Sequence, residues 1–290
     1  MLLATVVIWA FNVTVTKYVL THGFGPLAYA SVRYVGAALL SAAATYAFER
    51  SLRMDGRRAV LLLALATALL LANQLAFVYS LKLTDATTVS LILGTTPMFT
   101  ALISSSLGVE SLTPTFWIAT VITFGGVALV ALGNGGSLSA DIVGDLIALA
   151  LAATWGAYSV TITPLMETFS PYRISSVVLL AMGIPLVAIS VPQLGAQDYG
   201  APNTLSWLGL AYAIVGPLAL TNILWFMAIS RVGPARASLF ANLQPFLGAV
   251  FALVLLSEDL GPLQVAGGFL IAGGVMLERR THRAVAPVAE

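Results

Sequence analysis

Trp9 and Asn12 stand three residues apart, which places an indole and a carboxamide on one face of a helix. Trp155 occupies a matching place later in the chain, and Gln74, Asn222, Asn242 and Gln244 set further amides inside apolar stretches. An amide buried in an apolar medium without a partner is costly, and a buried indole N–H likewise needs an acceptor. Hydrogen bonds between helices can satisfy such groups singly. Taken together with Tyr79, Thr95, Thr96 and Tyr158, they suggest a cavity that offers both π-faces and hydrogen-bonding groups. Stacking and hydrogen bonding hold a small molecule; they do not break its bonds.

Asp85, Glu110, Asp141, Asp145, Glu167, Asp198, Glu258 and Asp259 read as loop or helix-end residues, as do His22 and His282. A proton-driven carrier usually keeps an Asp, Glu or His within the bilayer as a relay. The pattern therefore favours facilitated, gradient-driven movement of a solute. Cysteine is absent, which excludes disulfides and thiolate metal sites, and neither a metal nor a cofactor is expected. Neither His-Glu-x-x-His nor Gly-x-Ser-x-Gly occurs, so the chain is not expected to be an enzyme.

The elements that hold these residues are set by composition. Hydrophobic residues make up 59% of the 290-residue chain and charged ones 9%, against roughly a quarter charged in an ordinary soluble domain. Crossing a hydrocarbon core about 30 Å thick takes roughly 20 apolar residues. Runs of that order lie near 2–20, 27–48, 59–81, 86–107 and 115–132, and again near 143–164, 172–191, 205–229, 235–256 and 263–277. The first lacks a basic leader and has a counterpart in the second half, so it reads as a helix and not as a signal peptide. The longest connection, 192–206, reads as an exposed loop. The fold class expected is an all-α polytopic membrane protein with ten transmembrane helices.

Those ten helices fall into two sets. Ser90, Leu91, Pro97, Ala101, Glu110, Leu112, Pro114, Gly125, Gly126 and Val127 reappear without a gap as Ser238, Leu239, Pro245, Ala249, Glu258, Leu260, Pro262, Gly273, Gly274 and Val275, a shift of 148 places. A shift near half the chain marks a duplication, with repeats expected at 1–134 and 135–290. Pro97 and Pro245 interrupt corresponding points of the fourth and ninth spans, and Gly94 comes just before the first of them. Each proline removes a backbone hydrogen bond, and matched interruptions in two halves point to a binding site and its hinges. The pairs Gly125-Gly126 and Gly273-Gly274 read as close helix packing. They would serve a contact between two copies equally well, so monomer and homodimer stay open.

Arg50, Arg53, Arg57, Arg58, Arg173, Arg231, Arg236, Arg279, Arg280 and Arg283 gather on one side of the expected membrane. By the positive-inside rule that side is cytoplasmic and holds both termini. Each half has an odd number of spans, so the second starts on the opposite face and the five-helix repeats are inverted. Two inverted repeats make alternating access easy to reach. On the other side, Lys17 and Lys82 lie near helix ends and can snorkel. Arg33 lies about 10 Å into its span at a rise of about 1.5 Å per residue, as an interfacial anchor or a partner for a carboxylate. Trp117 and Trp207 begin their spans and fit the aromatic belt, and Trp225 lies a few residues from the end of its own.

The passage Gly94-Thr95-Thr96-Pro97, Glu110-Ser111-Leu112-Thr113-Pro114, Gly125-Gly126-Val127, with its repeat Leu243-Gln244-Pro245, Glu258-Asp259-Leu260-Gly261-Pro262, Gly273-Gly274-Val275, resembles the EamA family of the drug/metabolite transporter superfamily. The opening Trp9-Ala10-Phe11-Asn12, Lys17, Pro26 and Arg33 is similar to the start of that family's repeat, with Ala10 where glycine is usual. The resemblance covers essentially the whole chain and implies ten helices in two inverted repeats around a cavity open to one side at a time. Within the family the chain looks most like the YddG-type exporters of aromatic amino acids. The expectation is a bacterial inner-membrane exporter of aromatic or large apolar amino acids, with the bilayer and a small-molecule substrate as its partners and no nucleic acid. The rival expectation is export of lipophilic drugs or other small metabolites by proton antiport.

Overall fold

A computed structural model describes residues 1–83, 86–133, 142–256 and 261–285 of the chain, and every regular element among them is helical. Asp85, Asp141, Glu258, Asp259 and the 134/135 repeat boundary lie outside the described residues, and Lys17, Lys82 and His282 are described by backbone alone. The helices are α1 (Leu2–Thr21), α2 (Pro26–Glu49), α3 (Arg57–Leu83), α4 (Ala86–Leu93), α5 (Thr96–Ser106), α6 (Pro114–Gly133) and α7 (Ile142–Ile162). They continue as α8 (Pro171–Ala196), α9 (Thr204–Ala213), α10 (Thr221–Val232), α11 (Pro234–Ala241), α12 (Leu243–Leu256) and α13 (Pro262–Val285). A 3₁₀ turn, Thr163–Glu167, prolongs α7, and a π-helical stretch, Ile214–Leu220, joins α9 to α10. Among the described residues, 7 helices are long and apolar enough to cross a bilayer by length and composition.

Each expected run is found as helix, but three are interrupted. The fourth run is α4 and α5, broken at Gly94 and Thr95, and the ninth is α11 and α12, broken at Asn242. In both, the break falls two or three residues before the proline, where the missing N–H leaves an upstream carbonyl without its helical partner. The eighth run widens into the π-helical stretch around Pro217, which re-spaces the backbone bonds that a proline disrupts. Pro26, Pro171 and Pro234 sit in the first turns of their helices, where a missing N–H costs nothing.

The expected loop at 192–206 is shorter than its composition suggests, because α8 continues through Pro192 to Ala196. The extension has a local cause. Gln193 Oε1 accepts from the Leu27 N–H at 3.0 Å and Gln197 Oε1 from the Gly25 N–H at 2.7 Å, so the end of α8 caps the start of α2.

The chain divides into two compact units, Met1–Gln74 with Thr161–Arg231 and Leu75–Val160 with Val232–Glu290. Each unit draws on both halves of the sequence. In the first unit α2 lies along α8, where Thr45 donates to the Tyr172 carbonyl at 3.1 Å and its hydroxyl meets that of Ser176 at 2.7 Å. Val19, Phe24, Tyr29, Leu210 and Ala213 form a buried cluster there, and Arg173 pairs with Glu49 at 2.9 Å. In the second unit α6 crosses α13 at backbone range. A Cβ added at Gly126 would lie 2.7 Å from the Gly267 carbonyl, and one at Gly274 would lie 2.9 Å from the Ala119 carbonyl. Gly125 and Gly273 have open space instead, so one glycine of each pair makes the crossing.

A charged cluster closes one end of the second unit. Arg236, near the start of α11, donates from Nε to Glu278 Oε1 at 2.9 Å and from Nη1 to Glu110 Oε1 at 3.4 Å. Glu110 Oε2 also accepts from the Ala235 N–H at 2.7 Å. Burial raises the Glu110 carboxyl above its ordinary range, while the Ala235 N–H and the Arg236 charge pull the other way. Glu278, one residue past the tenth run expected at 263–277 and not among the acids weighed in the sequence, is a buried residue within α13.

Candidate functional site

In the first unit the indole of Trp9 donates to Thr221 Oγ1 at 2.8 Å and to the Pro217 carbonyl at 3.3 Å. That carbonyl belongs to the π-helical stretch, so the proline that disrupts the helix supplies the acceptor for a half-buried tryptophan. The Trp9 ring also meets the Trp225 ring, with centroids 5.1 Å apart at 50°. Asn12 follows one turn along α1, and its Oδ1 is buried with no hydrogen-bond partner among the described residues. Asn222 is buried and spends its Nδ2 on the Leu218 carbonyl at 2.7 Å, another group of the same stretch.

Arg33 is buried within the first unit, at 6% exposure. Its Nη2 donates to Gln74 Oε1 at 3.2 Å, and Gln74 Nε2 donates to Asn73 Oδ1 at 3.4 Å. The guanidinium carbon stands 5.1 Å from the Tyr29 ring centroid and 5.4 Å from that of Tyr34, within cation–π range. Gln74 is thus placed beside a cation that sequence reasoning had not grouped with it.

In the second unit Asn242 is buried at the break between α11 and α12, and its Nδ2 donates to Thr123 Oγ1 at 3.1 Å and to the Gly94 carbonyl at 3.4 Å. Thr95 turns its hydroxyl back onto the Ile92 carbonyl at 2.6 Å, and the backbone carbonyl of buried Thr96 accepts from Thr100 Oγ1 at 2.8 Å. Gly94 and Pro97 are buried, whereas Pro245 and Gln244 are half-buried. Trp155 and Tyr158 meet in a tilted pair with centroids 5.6 Å apart. Gly156 between them lies against α5, where a Cβ would come 2.8 Å from Thr100 Oγ1. Tyr79 is exposed.

Trp225, Thr221, Tyr29 and Tyr34 join the candidate residues only through the structure. For Trp225 the position near a span end suggested the belt, yet the side chain is fully buried. A cue was available in Thr221 and Trp225, four apart and therefore on one helix face beside Pro217. Among the described residues, no three of His, Cys, Asp or Glu gather as metal ligands.

A chain whose described regular elements are all helical, and whose apolar helices bury an indole, amides and an arginine, is a polytopic membrane protein. It belongs to the EamA-like transporter family, whose model matches residues 1–132 and 142–278. A relative in Streptantibioticus cattleyicolor, described as a "Probable terminal-alkyne amino-acid exporter", is 27% identical over 201 residues, covering 67% of this chain and 64% of that protein. The chain thus matches just under two thirds of that relative's length. The "Uncharacterized inner membrane transporter YedA" of Escherichia coli is 24% identical over 280 residues, 95% of this chain and 89% of its own. A solved crystal structure has the same fold, with a TM-score of 0.83 at 17% identity over 99% of this chain and 97% of that one.

Proposed function

We propose that this transporter exports amino acids, aromatic or large apolar ones, across a bacterial inner membrane, in the manner of the YddG-type exporters. The observation that carries the reading is the Trp9–Trp225 pair with Asn12 one turn away: two indoles in contact and a buried amide oxygen without a donor. An aromatic or apolar side chain packs on the half-buried Trp9 indole, which the buried Trp225 ring backs, and an ammonium group supplies a donor for Asn12 Oδ1. In the same unit Gln74 and Asn222 are the further amide contacts. In the second unit Trp155 and Tyr79 offer ring surface, Tyr158 is buried against Trp155, and Thr95, Thr96, Asn242 and Gln244 supply the polar groups. The amino-acid cargo in one relative's description and the inner-membrane place in the other's support the reading.

On this proposal residues 1–134 and 135–290 are inverted five-helix repeats that alternate access, with Gly94, Pro97 and Pro245 as hinges and both termini cytoplasmic. Transport is uniport and needs no cofactor. Counterflow in proteoliposomes tests it: labelled phenylalanine should exchange saturably with unlabelled aromatic amino acids or leucine, and not with glutamate. Trp155→Ala and Gln244→Ala should each lower the flux at unchanged membrane abundance. No exchange with any amino acid overturns the proposal, and unchanged flux in both variants overturns this placement of the site.

One observation favours the second reading, proton antiport of lipophilic compounds or other small metabolites. Glu278 is a buried carboxylate whose Oε2 has no hydrogen-bond partner, the kind of group a relay uses. Flux that vanishes without a pH gradient, and with Glu278→Gln, would decide for it.

A further inference from the structure

Among the described residues, two arginines partly removed from water are balanced by acids. Arg173 pairs with Glu49 and Arg236 with Glu110 and Glu278. Arg33 breaks the pattern: it is more deeply buried than either, and no acidic group among the described residues reaches it. Its surroundings hold the guanidinium without neutralising it. Gln74 takes one Nη2 hydrogen, two tyrosine rings flank the group, and the Nε–H is buried with no acceptor among the described residues. A buried cation with donors to spare is a standing demand for an anion.

The position of Arg33 narrows which anion. α1 and α2 are joined by the short segment 22–25, and Thr16 of α1 meets Tyr29 of α2 through their hydroxyls at 3.3 Å. One turn back along α1 from Thr16 is Asn12, and one turn on along α2 from Tyr29 is Arg33. Among the described residues the first unit thus offers a cationic donor without an acceptor, Arg33 Nε–H, and an acceptor without a donor, Asn12 Oδ1.

We infer that Arg33 is the group that binds the carboxylate of the transported solute, with Asn12 the acceptor for its ammonium. The fork of a guanidinium matches the two oxygens of a carboxylate. The inference rests on the amino-acid reading only for the ammonium half, and the experiment separates the two. Purified full-length protein is titrated calorimetrically with phenylalanine, with phenylalaninamide, which lacks the carboxylate, and with 3-phenylpropionate, which lacks the ammonium. Wild type should bind phenylalanine about tenfold or more tighter than phenylalaninamide, the scale of one charge-assisted contact. Arg33→Gln should bring that ratio close to one.

A ratio that survives Arg33→Gln, or wild type that binds the acid and the amide alike, overturns the inference and leaves the amino-acid reading standing. Phenylpropionate binding that depends on Arg33, with no binding of phenylalanine, keeps the inference and defeats that reading. If Arg33→Gln does not fold, Gln74→Glu serves, because it puts a competing carboxylate against the guanidinium. A smaller acid-to-amide ratio in that variant supports the inference. A purely structural arginine would instead give a higher Tm and an unaltered ratio, which overturns it.

Discussion

Asn242 donates its side-chain amide to the carbonyl of Gly94 at 3.4 Å across 148 residues, and 148 is the shift at which the sequence repeats. The two residues are counterparts in the two copies, each at the break of its own interrupted span. The contact therefore joins the weak point of one helix to the weak point of the other within the second unit. The α6–α13 crossing has the same character, since Gly126 and its counterpart Gly274 each meet backbone of the other helix.

Asn242→Ala should destabilise the protein by about 1–3 kcal/mol, because it strands the Gly94 carbonyl and takes a donor from the buried Thr123 hydroxyl. Asn242→Asp, which keeps the shape but loses the Nδ2 donor, should cost at least as much. Thermal unfolding in detergent checks both, and a Tm within error of wild type would deny the contact a structural role.

Gly126→Ala should lower the yield and Tm of folded protein, because its Cβ would lie 2.7 Å from the Gly267 carbonyl, a backbone atom that cannot swing aside. Gly125→Ala meets nothing within 4 Å and should be neutral or stabilising by about 0.5–1 kcal/mol through the lost flexibility of glycine in a helix. Equal behaviour of the two variants would contradict the crossing.

Hydropathy located the helices because lipid demands length and apolarity from each one. The run expected at 2–20 is α1 to within a residue at its C-terminal end, and the interruptions at Pro97 and Pro245 lie close to the observed breaks. The π-helical stretch was not legible, since Ile-Val-Gly-Pro-Leu-Ala-Leu has the composition of any apolar helix carrying a proline. Nor was the company of Trp9: Thr221 and Trp225 reach it by tertiary packing across more than half of the chain. The assembly of α1 and α2 with α8, α9 and α10 into one unit is likewise a matter of long-range contacts that local periodicity does not encode.

Glu110 should leave a mark on the pH dependence of stability. Its carboxyl is raised by burial, so the native state holds the proton more tightly than the unfolded chain does. The resulting stabilisation is full below the ordinary carboxylate pKa of about 4.3 and is lost as pH rises through the raised value. Glu110→Gln cannot titrate, and its profile of Tm against pH should lack that fall. Superimposable profiles would show that the carboxyl does not carry it.

Gly233 links α10 to α11 at φ +85, and a Cβ there would fall on the Glu110 carboxylate. Gly233→Ala should therefore cost about 1–3 kcal/mol in backbone strain and also push Glu110 from the Ala235 N–H and Arg236. The second effect predicts non-additivity: Gly233→Ala should be milder in a Glu110→Ala background, where the clash is gone and only the strain remains. A double-mutant cycle on Tm reads the coupling, and simple addition of the two losses would mean that Glu110 and Gly233 do not meet.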